Sequence, residues 1–236
     1  MHLILAGFGF MGLLAIGFSY VLVPMFALAG SPDSRLSAAV LIIAAGAILA
    51  GAIGAWGRNT AMLTAATLGG LVAGAIHLAQ MRGILKSGMR KRLGLSFVLV
   101  RTAWSMIPLT LIAGIATLGG HGGPNDITLF GFLLLFGWLL TFLLAILQRI
   151  MPFLASMHAA RAPGQPPPQM SLLSSSWPLR LHAGCHLAAL AAIAIAIALD
   201  SATLAKAGTA TGLLGSLAFL WFTADVIRRA AWPRSA

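Results

Sequence analysis

The chain has 236 residues, 59% of them hydrophobic and 8% charged, with 15 Lys and Arg against 4 Asp and no Glu. A mean hydropathy of +0.96 excludes an ordinary water-soluble domain and marks an integral membrane protein. The scarcity of carboxylates excludes a carboxylate-bridged di-metal centre, a glycosidase acid pair and a proton path built from buried acids.

About 20 apolar residues span the ~30 Å hydrocarbon core as a helix, and seven segments reach that length: 2–28, 36–57, 60–85, 94–118, 127–150, 180–200 and 207–228. The expected fold is an all-α polytopic bundle of seven transmembrane helices, because an open sheet would strand its backbone polar groups in lipid. The first helix, His2 to Leu28, lacks a basic n-region and is too long for a signal-peptide core, so it is expected to stay in the mature chain. Its Phe8-Gly9-Phe10 and Pro24-Met25 are echoed at the same spacing by Phe136-Gly137-Trp138 and Pro152-Phe153, with Phe130 standing where the first copy has His2.

Ser31-Pro32-Asp33 is a turn, and Trp56-Gly57-Arg58-Asn59 is a tight one. The second and third helices carry many small residues, including Gly70 and Gly74 four apart, which let backbones approach closely. Residues 119–124 form a glycine-rich loop with His121 at its centre. Residues 161–179, with Pro163, Pro166, Pro167 and Pro168, are a linker expected on the cytoplasmic face; they separate helices one to five (1–160) from helices six and seven (180–236) of a single membrane domain. Cys185 has no second cysteine to pair with. Trp56, Trp177 and Trp232 fall at helix ends, as an interfacial belt requires. Phe130, Phe132, Phe136, Trp138 and Phe142 are at helical spacing and read as core or lipid-facing residues.

Charge orients the helices. One side receives Arg35; Arg82, Lys86, Arg90, Lys91 and Arg92; Arg149, Arg161 and Arg180; and Arg228, Arg229 and Arg234. The other receives only Arg58 and Lys206. Basic loops stay cytoplasmic, so the N-terminus is expected outside and the C-terminus inside a bacterial-type inner membrane. The net charge of +11 is therefore loop charge facing anionic lipid, and nucleic acid is not expected as a partner.

Histidine is the remaining chemistry-bearing residue. His77 lies eight residues before the inner end of the third helix and His186 about six residues into the sixth, so both sit roughly 9–12 Å deep. His182 and His186, four apart, share a face. Arg101 falls in the same layer, with Asp225 a little shallower. Ionisable groups at such depth cost a few kcal/mol unless they pair, snorkel or meet water, so the layer is a candidate site. In one reading, His77 with His186 or His182 ligates a haem iron or another metal, and Arg101 pairs with a propionate. In the other, Arg101 pairs with Asp225 and the histidines bond to backbone or water. His182-Ala183-Gly184-Cys185-His186 lacks the first cysteine of a covalent haem motif, leaving a soft-metal site of Cys185, His182 and His186 as a further option.

The first helix also resembles a known family. A histidine, a glycine-rich run and the exit Gly17-Phe18-Ser19-Tyr20-Val21-Leu22-Val23-Pro24-Met25 are similar to the second helix of the large subunit of haem-copper oxidases and nitric oxide reductases. The resemblance implies that His2 is an axial ligand of haem b. The family's copper-binding histidines and catalytic tyrosine have no matching motif here, so it implies a relative without the catalytic centre. The function expected is a haem-binding or accessory subunit of respiratory electron transfer, partnered by other subunits of a membrane complex. The alternatives are a cofactor-free scaffold subunit and a transporter of a metal or small solute.

Overall fold

The computed structural model describes residues 1–90, 93–118, 123, 125–159 and 172–231. These residues form no strand and seven helices long and apolar enough to cross a membrane: α1 Ile4–Ala27, α2 Ser34–Trp56, α3 Thr60–Ser87, α4 Leu95–Leu118, α5 Asn125–Ala159, α6 Ser176–Ala198 and α7 Ala202–Ala231. Large apolar side chains such as Phe10, Ile42, Leu49 and Leu220 are exposed, an arrangement that suits lipid rather than water as the solvent. The chain is a multi-pass helical membrane protein. His121, Trp232 and the linker up to residue 171 lie outside the described residues.

Local chemistry fixes the helix ends. The Asp33 carboxylate accepts from the backbone N–H groups of Arg35 and Leu36, and the Asn59 side chain accepts from that of Met62, which caps α2 and α3. Leu28, Arg58 and Asp200, at turns, take φ of 50°. Several helices run longer than hydropathy suggests, α7 among them, at Ala202–Ala231 against the expected 207–228. α5 continues to Ala159 because Gln148 and Arg149 interrupt the apolar run without breaking the helix: Gln148 is buried, and Arg149 donates to the Ser96 hydroxyl at 2.7 Å. α6 begins at Ser176, with Pro178 in its first turn, where the missing N–H does no harm.

The echo between the first and fifth helices has a structural counterpart. α1 is π-helical over Ile4–Gly12 and α5 over Leu133–Leu140, so both unusual stretches cover the repeated landmark, Phe8 in one and Phe136 in the other. π-helices are rare and concentrate at functional positions. Here they are where the two helices meet. A Cβ on Gly7 would come within 2.9 Å of Leu134, and one on Gly12 within 3.1 Å of the Trp138 ring, so glycine admits the partner side chain at both points.

The chain divides into two compact units, Met1–Gly94 with Val100–Leu143, and Leu95–Leu99 with Leu144–Ala236. In the first, α2 and α3 pack along small residues: Gly51 faces Ala66, and Gly69 faces Ala47. The turn after α3 is stitched to the end of α1, since Met89 N–H donates to the Leu28 carbonyl and Arg90 N–H to that of Ala27, each at 3.2 Å. The second unit is dominated by the α6–α7 hairpin, with Phe222, Val226 and Ala183 at its core.

Candidate functional site

In the second unit, the hairpin is drawn together by glycines on one face of α7. Gly208, Gly212 and Gly215 follow one another at four- and three-residue steps and so share that face. A Cβ on Gly208 would lie 2.7 Å from Ile193, one on Gly212 3.5 Å from Ala189, and one on Gly215 3.1 Å from Cys185. This close approach places the Gly215 carbonyl 3.1 Å from Nδ1 of His182. A carbonyl oxygen can only accept, so Nδ1 carries the proton and Nε2 is left with the lone pair. His182 is 2% exposed, and its Nε2 is buried without a hydrogen-bond partner. The result is an imidazole with fixed tautomer and orientation, the state in which a ring nitrogen ligates a metal.

His186 stacks on His182, with ring centroids 5.6 Å apart and planes inclined at 26°, and Phe219 closes on His182 at 4.9 Å. The two imidazoles therefore lie side by side on one helix and cannot clamp opposite faces of one macrocycle. Cys185 is half-buried between them in sequence, yet among the described residues no three His, Cys, Asp or Glu side chains are grouped to hold a metal ion, so the soft-metal trio is not assembled.

Asp225, whose depth suggested Arg101 as a partner, is engaged locally. Asp225, buried on α7, accepts from Arg228 at 2.8 Å and lies 2.8 Å from Arg229 Nε, the latter without hydrogen-bond alignment. These are three- and four-residue steps along one helix. Both arginines are well exposed, 64% and 40% at the side chain, so water screens the pairs. Asp225→Asn is expected to cost only about 1 kcal/mol in denaturant unfolding of the detergent-solubilised chain.

In the first unit, His77 is 1% exposed and buried against two aromatic edges, Tyr20 at 5.2 Å and Trp104 at 6.1 Å, both T-shaped. His77 Nδ1, Trp104 Nε1 and Thr110 Oγ1 are buried without hydrogen-bond partners. The Tyr20 hydroxyl faces the Ser37 side chain without a well-formed bond. Ser37 in turn joins Gln80, whose amide donates to the Asp33 carbonyl at 2.9 Å. Depth along the helix marked His77 as a candidate; its aromatic enclosure needed the packing of three helices.

Two further candidates are exposed. Arg101 is exposed on α4, and His2 is exposed just ahead of α1. His77 belongs to the first unit, and His182 and His186 to the second. Gly215, which sets the His182 tautomer, escaped notice in the sequence; the signal was the run Gly208-x-x-x-Gly212-x-x-Gly215 on the helix facing the histidines. Compared with known proteins, this chain matches no family model, no curated protein and no solved structure.

Proposed function

We propose that this chain is a non-catalytic component of membrane electron transfer that holds a b-type haem, with His182 as an axial ligand. The observation that carries the reading is the His182 ring, its Nδ1–H given to the Gly215 carbonyl and its Nε2 buried with nothing to bond. An unsatisfied buried polar atom costs about 1–3 kcal/mol, and a metal at Nε2 offsets that cost. Haem supplies one-electron chemistry when bound; the chain's part is to fix the ring and keep water away. The resemblance of the first helix to the haem-copper oxidase large subunit supports the same class, with His2 as the rival ligand. The excess of basic loop residues on one side supports a bacterial-type inner membrane with the N-terminus outside.

The competing reading is a cofactor-free scaffold subunit, favoured by the close cover of His186 and Phe219 over His182. Haem content of the purified full chain by the pyridine haemochromogen assay separates the two. The haem reading expects stoichiometric haem, lost in His182→Ala and kept in His2→Ala. Haem-free protein that co-purifies with a larger complex leaves the scaffold.

A further inference from the structure

The first unit carries a half-open cavity of about 320 Å³, within the size range of small-molecule sites. One wall is made of small residues, among them Gly51, Ala66 and Gly70, and the other of the rings of Phe8, Phe130 and Trp138. Phe8 stands 6.1 Å from Phe130 and 6.0 Å from Trp138. The aromatic wall thus comes from the two repeated helices, with Phe8 and Trp138 within their π-helical stretches. The small residues that the sequence marked for helix packing also leave this space open.

Three features define an occupant. The cavity follows α2 from Ala55 to Ala44 and α3 from Leu63 to Gly74, which at 1.5 Å per residue is about 16 Å, half of the ~30 Å hydrocarbon core and the depth of one leaflet. Of its lining hydroxyls, Thr67 donates to the Leu63 carbonyl at 2.9 Å and Thr117 to that of Gly114 at 2.7 Å. The Trp138 indole is the one other donor among the lining side chains, so a head group with several polar atoms would be stranded there. At the helix ends where the cavity begins, the α2–α3 turn carries Trp56, 78% exposed, and an exposed Arg58. An aromatic ring and a guanidinium at that level suit the ester and phosphate region of a lipid.

We propose that this cavity takes one acyl chain of a phospholipid, drawn from the leaflet on the side of the α2–α3 turn, with the phosphate held at the level of Arg58. Trp138 is 4% exposed and is shielded from lipid that merely surrounds the protein, so its fluorescence reports entry. The full chain is reconstituted in phosphatidylcholine vesicles whose acyl chains are brominated near the methyl end, and the emission of Trp138→Phe is subtracted from that of the wild type. The Trp138 emission is expected to be quenched, and the quenching to be lost in Gly70→Leu and Thr67→Leu, each of which fills the cavity. A Cβ on Gly70 meets only the Leu111 side chain, at an ordinary 3.4 Å, and no backbone. Trp138 emission that brominated lipid does not touch, or quenching that persists in both filled variants, overturns the proposal.

Discussion

Gly208→Leu is expected to destabilise the protein by about 3 kcal/mol, the largest effect of any single substitution considered. A Cβ at this position would already lie 2.7 Å from Ile193 Cγ1, 3.2 Å from Ala192 Cβ and 3.2 Å from the Ile193 backbone nitrogen. The first of these contacts could yield by rotating a side chain. The last belongs to the backbone of α6, so the two helices must separate. In lipid, close helix approach supplies much of the association energy, because burial of apolar surface gives little advantage over contact with lipid tails. Separation also draws the Gly215 carbonyl away from His182 Nδ1. Thermal unfolding of the detergent-solubilised variant should show the loss of stability, and proteolysis should reach the hairpin first. Unchanged stability would mean that α6 and α7 are not packed on this seam.

Gly88→Val is the second. Gly88 has an ordinary extended backbone, with φ −61° and ψ 139°, so conformational freedom is not the reason for glycine. The reason is space: a Cβ would come within 2.7 Å of the Ala27 carbonyl oxygen and 3.2 Å of the Ala27 side chain. The same Ala27 carbonyl accepts from Arg90 N–H, and Leu28 accepts from Met89, so pushing the strap away breaks two backbone bonds as well. A loss of about 2–3 kcal/mol is expected, read as a lower denaturant midpoint. The milder Gly88→Ala should already show most of it, because the clash is with backbone and arises at Cβ.

The seven spans were legible in the sequence because bilayer thickness imposes a length that hydropathy alone can detect. Their ends were less so. Arg149 reads as a helix end, yet it continues α5 by bonding Ser96 in the first turn of α4, a partner 53 residues away. The repeated Phe-Gly landmark was visible, but its π-helical form was not, nor was the way Gly7 and Gly12 receive Leu134 and Trp138, which lie more than 120 residues away in sequence.

Depth was the property of the candidate site that the sequence conveyed best. It placed His77, His182 and Arg101 within the spans but left their direction around each helix open. The structure buries the two histidines and exposes Arg101. Asp225 shows the converse lesson. Its partners were three and four residues along the same helix, and the spacing to Arg228 and Arg229 was a nearer explanation than a pair across helices.

If a haem iron meets His182 Nε2, as proposed, the purified full chain should give a b-type reduced-minus-oxidised visible spectrum. The bands are expected in the wild type, to vanish in His182→Ala and to survive in His186→Ala. A flat spectrum from wild-type protein supplied with haem, or bands undiminished by His182→Ala, would contradict the proposal.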